Sequence, residues 1–330
     1  MNTQTAIASD PSPTAGTDSS CIRVLAIVGP TGVGKTAVAE EAAVRLGSEV
    51  ISADSMQVYR GMDIGTAKPS VSLRRVPYWC IDVVDPGTSY SAALYQQAAR
   101  AAIGDIAARS LTPVLAGGTG LYIRAALDDF SFPAGEQQDN MVRRYYEEYA
   151  ASNGALALYE LLLERDPDSA AFVHQNNTRR VIRALEMLDG GLPYAEQRVG
   201  FSTRQSIYDS VFVGLSLQRD RLYHLIDERV DAMISSGLLG EVERLLAAGL
   251  RSTLTASQAI GYKEFVGVVE GTIDLDEAAS AVKQASRRYA KRQLTWFRAD
   301  PRVVWIEIDD LSVSDAANAA LGALDCPSAR

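Results

Sequence analysis

Eight consecutive residues, Gly29-Pro30-Thr31-Gly32-Val33-Gly34-Lys35-Thr36, spell GxxxxGK[ST] between an apolar, β-rich run and an alanine-rich helical one. A phosphate-binding loop needs that context. Its glycines let backbone N–H groups curl around an anion, and the start of a helix adds partial positive charge. Lys35 supplies a point charge for phosphate oxygens, and the Thr36 hydroxyl can ligate Mg²⁺. The loop predicts a di- or triphosphate ligand with Mg²⁺. It leaves the chemistry open between an ATPase, a kinase and a transferase whose leaving group is pyrophosphate.

A second polar group follows the next apolar run, at Asp54-Ser55-Met56-Gln57. Asp54 is expected at the C-terminal end of a strand beside the P-loop strand, its carboxylate toward the phosphate. There it could take a proton from an acceptor nucleophile. An Asp after a strand is more often a turn or helix cap, so alone it decides little.

The elements that must hold these residues alternate short β-rich runs with longer helical stretches. That pattern predicts an α/β fold with a P-loop NTPase-like parallel sheet flanked by helices. Candidate strands are 22–28, 49–53, 79–84, 113–116, 211–217 and 303–308. Open α/β sheets place ligands at the ends of such strands. The alternation fails from about 127 to 205, where repeated Leu, Ala, Arg and Glu predict a helical insertion subdomain. The catalytic core is expected over 21–126 and 206–310, with helices over 219–250 and 276–298. Residues 1–20, rich in Ser, Thr, Ala and Pro, read as a disordered tail, and 311–330, rich in Ala, Ser and Asp, as a frayed one.

Composition narrows the field. With 330 residues, 47% hydrophobic and 22% charged, the chain is that of an ordinary globular protein. No apolar run approaches the roughly 20 residues of a membrane span, and the N-terminus lacks a signal-peptide pattern; a cytoplasmic protein is expected. Three scattered cysteines and two histidines give no disulfide framework, zinc site or HExxH hydrolase. The net charge of −9 argues against nucleic acid, but its distribution does not. Lys283, Arg287, Arg288, Lys291, Arg292, Arg298 and Arg302 crowd one segment, and Lys283, Arg287 and Lys291 stack at i, i+4. A solvated face is the bland explanation; a phosphate-facing surface is the other.

The stretch DSMQVYRGMDIGTAKP (54–69), joined to GPTGVGKT, closely resembles the tRNA dimethylallyltransferases, also called tRNA isopentenylpyrophosphate transferases. Further matches follow in the family's order: GGTGLY (117–122), NNTRRVIRALE (176–186), RDRLY (219–223), QAIGYKE (258–264) and RQLTWFR (292–298). The resemblance runs from about 22 to 308. The family's motif usually reads Asn-Asp where this chain has Asn176-Asn177, a change that a helix cap tolerates.

The resemblance implies transfer of a dimethylallyl group from dimethylallyl pyrophosphate to the exocyclic amine of adenosine 37 of tRNA, with Mg²⁺. In that reading Asp54 accepts or orients the amine proton, and Arg219, whose planar fork suits phosphate, neutralises the leaving pyrophosphate. Thr119 lines the channel beside the target base, which must be splayed out of its loop. Ser55, Met56 and Gln57 contact that base and its neighbours. Met141, Arg143, Gln175, Asn176, Asn177, Thr178 and Arg179, with Gly261, Tyr262, Lys263 and the basic helix, hold the anticodon stem-loop. A monomer is implied. An ATP-dependent small-molecule kinase would share the P-loop and Asp54 but leaves QVYRGMDIGTAKP unexplained. An adenylate isopentenyltransferase is a closer rival, and a non-catalytic RNA-binding module would leave Asp54 and Lys35 idle.

Overall fold

The computed structural model describes residues 22–129, 132, 141–197, 203–252 and 255–325. The expected N-terminal tail, 1–20, lies outside them. Six strands form one parallel sheet: β1 (Arg23–Val28), β2 (Val50–Ser52), β3 (Tyr78–Trp79), β4 (Val114–Gly117), β5 (Asp209–Ser216) and β6 (Val303–Glu307), in the order β3-β2-β4-β1-β5-β6. The apolar runs of β1 and β4 are buried throughout, as parallel strands covered on both faces must be. This is the expected P-loop NTPase-like architecture.

The helices are α1 (Lys35–Leu46), α2 (Ala92–Ala108), α3 (Gly120–Leu127), α4 (Met141–Arg165), α5 (Pro167–Ala170), α6 (Thr178–Asp189), α7 (Arg219–Ser235), α8 (Leu238–Ala247), α9 (Tyr262–Val269), α10 (Leu275–Arg298) and α11 (Val313–Asp325). One core cluster packs β1, β2 and β4 against α2, α3 and α9; a second packs α1, α7 and α11 against the sheet. Helices α4–α6 of the insertion bury Tyr146, Leu158, Leu162, Val181 and Leu185 in a core of their own.

Four expectations are corrected. Asp54 does not follow the strand beside the P-loop strand, because β4 lies between β1 and β2. The doubly buried β4 takes the centre, and the three-residue β2 pairs outside it. Gly117 has no Cβ, which lets the Ala53 carbonyl pass where a Cβ would sit. The strand expected over 79–84 shrinks to two residues, because Cys80 and Asp82 take φ of 58° and 56°, incompatible with an extended ladder. Finally, the stretch read as a frayed tail contains α11. Its alanines are periodic: Ala316, Ala317 and Ala320 are buried with Leu324, and their small size lets the helix lie close on α1. Arg23 donates to the Leu324 carbonyl at 3.0 Å, and Arg45 to Ser314 Oγ at 2.7 Å. The long helix expected over 219–250 divides at Gly237, whose φ of 96° ends one segment and starts the next.

Candidate active site

Strand register sets the site. Val28 of β1 is level with Gly117 of β4, and Ser52 of β2 with Ala116. The P-loop, Asp54 and Thr119 each begin within two residues of those strand ends, so three segments far apart in sequence leave the sheet at one edge. Ligands of open α/β sheets bind there.

The P-loop turns through Gly32 and Gly34, with φ of 83° and 88°, into α1. Lys35 Nζ donates to the Pro30 carbonyl at 2.6 Å. Burial, and secondarily the Arg229 cation, pull Lys35 down to about 7, against the opposing pull of Asp54. Burial likewise lowers Arg229 from its ordinary value, with Asp54 opposing. Lys35, Arg229 and Asp54 therefore form one electrostatic cluster, two cations and one anion, at the mouth of the P-loop. Asp54 Oδ1 accepts from the Met56 amide at 2.9 Å, which turns the chain after β2. Thr119 Oγ1 accepts from the Ser55 amide at 3.1 Å and donates to Ser55 Oγ at 3.3 Å, tying the glycine-rich turn to the Asp54 loop.

A cavity of about 280 Å³ opens between these loops and two helices. The P-loop gives it Thr31; the β2 end gives Asp54, Ser55 and Met56. Helix α7 contributes Arg229 with apolar Ile226, Val230 and Met233, and α10 contributes Val282, Ser286, Tyr289 and Arg292. Gly261 and Tyr262 close one side. Its lining combines charged Asp54, Arg229 and Arg292 with apolar Ile226, Val230, Met233 and Val282, a mixture suited to a ligand with an anionic head and a hydrocarbon tail. Burial, with Asp54 adding to it, pushes the Tyr289 phenol up to about 12, so it stays protonated. The Arg292 guanidinium stands 5.5 Å from its ring.

The loop 61–69 that completes the wall is held from below. Glu241 of α8, 2% exposed, accepts from the Asp63, Ile64 and Gly65 amides at 3.2, 2.9 and 3.2 Å and from Tyr262 Oη at 2.7 Å. Gly65 must lack a side chain because the Tyr262 ring fills the place of its Cβ. Lys68 donates to the Tyr59 carbonyl, Asp63 and Asp82, at 2.8, 2.6 and 2.6 Å.

Not every expected residue reaches this cavity. Arg219 begins α7 exposed, with its guanidinium 5.2 Å over the Tyr223 ring. Gln57 is 8% exposed, and its amide is engaged by Ser52 at 2.9 Å and the Thr66 carbonyl at 3.3 Å, so it braces the loop instead of facing a base. Thr36 is exposed at the start of α1. Lys263 is exposed beside Glu264. The insertion residues lie elsewhere: Met141 is exposed at the start of α4, Arg143 pairs with Glu147 at 2.8 Å, and Gln175, Asn176 and Arg179 are exposed around the start of α6. Asn177 caps α6, accepting from the Arg180 amide at 3.2 Å, so the amide serves where an acid was usual. An open depression there is lined by His174, Asn176, Asn177, Thr178 and Arg179.

The basic segment divides in two. Lys283 pairs with Asp231 at 2.6 Å, Arg287 with Asp227, and Arg302 with Asp128 and Asp300 at 2.6 and 2.8 Å. Lys291 and Arg292, with Arg124, Arg204, Thr295 and Trp296, line a second cavity of about 450 Å³. Arg292 borders both cavities. The residues that sequence reasoning missed are Arg229, Tyr289 and Gln293. The four-residue spacing of Tyr289, Gln293 and Phe297 on α10 was the available signal for an inward stripe.

A family model described as IPP transferase matches residues 57–300. The chain belongs to that family. A second model, isopentenyl transferase, matches residues 22–77, the part carrying the P-loop and Asp54. The chain is 48% identical over 290 residues to a tRNA dimethylallyltransferase of Geobacillus thermodenitrificans, covering 87% of this chain and 91% of that one. Its fold is similar to the crystal structure of the tRNA isopentenylpyrophosphate transferase of Bacillus halodurans, with a TM-score of 0.67 and 42% identity over 92% of this chain and 97% of the other. A eukaryotic dimethylallyltransferase, in structures described as acting on tRNA, superposes with a TM-score of 0.75 at 28% identity, covering 91% and 77%. Among the described residues no helix is long and apolar enough to cross a membrane.

Proposed function

We propose that this chain is a cytoplasmic, monomeric tRNA dimethylallyltransferase, joining the dimethylallyl group of dimethylallyl pyrophosphate to the exocyclic amine of adenosine 37 in an anticodon stem-loop. The observation that carries the reading is the cavity that joins Asp54 and Arg229 to apolar Ile226, Val230 and Met233, with Lys35 of the P-loop electrostatically coupled to both charged groups. The names of the relatives point the same way.

In this reading the donor's pyrophosphate lies on the P-loop amides and Lys35, while Ile226, Val230 and Met233 enclose the five-carbon group. The amine nitrogen attacks the allylic carbon, the carbon–oxygen bond breaks, and pyrophosphate leaves. Asp54 takes the proton released by the amine. Lys35, Arg229 and Arg219, swung from Tyr223, stabilise the charge that grows on the leaving oxygen. The donor set suits Mg²⁺: the Thr36 hydroxyl is exposed at the helix start, and no described group of three acidic, His or Cys side chains would hold a metal alone. Thr36 would hold Mg²⁺ there, and the ion would supply further charge neutralisation. Ser55, Met56 and Thr119 meet the splayed base, and Gly261–Lys263, Lys291, Arg292, Met141, Arg143 and 175–179 hold the stem-loop.

The test is a single-turnover assay with Mg²⁺, labelled dimethylallyl pyrophosphate and an anticodon stem-loop carrying adenosine 37, beside Asp54→Ala. Transfer to RNA that falls by about 10²-fold or more in the variant supports the function and the base. Transfer unaffected by the change removes Asp54 from that role. Label moving to AMP and not to RNA would replace the tRNA reading with the adenylate one.

A further inference from the structure

Gln293 lies on α10 between the tyrosine that enters the cavity and the tryptophan that faces outward. It is 5% exposed, and both ends of its amide are engaged by loops of the active site. Its Oε1 accepts from the Thr31 amide of the P-loop at 2.8 Å. Its Nε2 donates to the Gly118 carbonyl, beside Thr119, at 2.9 Å. Two glycines of the turn are shaped to this helix. A Cβ on Gly118 would fall on the Gln293 amide, and one on Gly120 on the Trp296 indole. Gln293 is thus the side chain through which α10 grips both the phosphate loop and the loop that holds Ser55 and Asp54. Within one turn on the same helix, Lys291, Arg292 and Trp296 line the outer basic cavity.

We propose that Gln293 is a positioning residue for the transfer: it fixes the distance between the P-loop and the Thr119–Ser55–Asp54 loop, and so sets the donor's pyrophosphate against the proton-accepting carboxylate. The chemistry demands both functions of an uncharged amide. Thr31 N–H needs an acceptor and the Gly118 carbonyl needs a donor, within one side chain. An apolar replacement leaves two buried backbone groups unpaired. An ionised carboxylate still accepts from Thr31 but is repelled by the Gly118 carbonyl and by an incoming pyrophosphate. A protonated carboxyl, C=O toward Thr31 and O–H toward Gly118, reproduces the glutamine pattern. The inference rests on the proposed reaction for its kinetic arm and on pyrophosphate binding alone for its other arm.

The experiment compares wild type with Gln293→Met and Gln293→Glu at several pH values, each variant read as a ratio to wild type at the same pH. Gln293→Met is expected to lose about tenfold to a hundredfold in kcat/KM for dimethylallyl pyrophosphate, with stem-loop affinity by fluorescence anisotropy unchanged. Gln293→Glu is expected to show a similar loss at pH 8 and to regain at least threefold of it, relative to wild type, by pH 6. A residue needed only for stability would leave kcat/KM of the folded variants at the wild-type value at every pH. Calorimetric binding of Mg²⁺–pyrophosphate without RNA should follow the same order. If wild type binds pyrophosphate in this pattern but transfers nothing to RNA, the reaction assigned above falls and the positioning role stands. Where transfer occurs, a Gln293→Met enzyme with wild-type kcat and KM overturns the positioning role, as does a Gln293→Glu to wild-type ratio that is flat in pH. Should Gln293→Met fail to fold, the Gln293→Glu profile decides alone, because its neutral form keeps both bonds.

Discussion

Lys35 gives the P-loop a measurable proton signature. In the ligand-free protein, burial and Arg229 hold it at about 7 instead of 10.5. A pyrophosphate oxygen brought to about 4 Å reverses that: at an effective dielectric of 20 one unit charge contributes about 4 kcal/mol, or about three pKa units. The bound lysine then stays protonated to about pH 10. With a free value of about 7, binding at pH 8 draws in about 0.9 proton, at pH 7 about 0.5 and at pH 6 about 0.1. Dimethylallyl pyrophosphate itself is ionised at pH 8, since such phosphates titrate near 6. Calorimetry of donor binding with Mg²⁺ in buffers of different ionisation enthalpy reads the uptake directly. Lys35→Arg, always protonated, should bind with no uptake, and Arg229→Met should shrink the uptake at pH 8 by letting Lys35 rise. An uptake below about 0.3 proton at pH 8, or one that survives in Lys35→Arg, refutes the electrostatic argument.

The same depression has a stability consequence with a fixed sign. Between about 7 and 10.5 the unfolded chain holds the Lys35 proton and the folded one does not, so stability rises with pH across that window. Below about 7 the folded protein carries the charge in its desolvated place, at a cost of about 5 kcal/mol. Lys35→Met should therefore melt higher than wild type without ligand, most of all below pH 7, and lose the advantage above pH 10.5.

Three further outcomes follow from packing. Glu241→Gln turns an acceptor of three amides and a tyrosine into a part-donor, and should lower stability by about 2–4 kcal/mol in urea denaturation, against about 1 kcal/mol for Tyr262→Phe. Gly120→Ala drives a methyl group into the Trp296 indole and should cost about 1–3 kcal/mol, whereas the double variant Gly120→Ala/Trp296→Ala should lose less than the sum of the singles. Ending the chain at Asp310 uncovers the α1 surface under Ala316, Ala317, Ala320 and Leu324 and should cost about 3–5 kcal/mol by thermal or urea unfolding, where a frayed tail would cost nothing.

What could be read in advance divides by the range of the interaction that decides it. The P-loop is a local object: its glycines, its lysine and the start of the following helix lie within eight residues, and the structure folds them as the pattern requires. The ends of β1 and β4 were readable for the same reason. Strand order was not, because whether β2 meets β1 or β4 depends on which strand is covered on both faces, a property of the assembled sheet. Helix charges failed in an instructive direction. Lys283 and Arg287 have the i, i+4 spacing of a phosphate-facing stripe, yet Asp231 and Asp227, at the same spacing on α7, meet them where α7 and α10 pack. Arg229 is on that same helix and looks from sequence like another surface arginine. One residue along from its neighbour Glu228, it turns from solvent toward the cavity, and no acid of α10 is there to pair with it. Arg229 instead donates to the Thr66 carbonyl at 3.3 Å and shares Asp54 with Lys35, and burial lowers both cations, so an anion entering the cavity would meet two cations with one carboxylate between them.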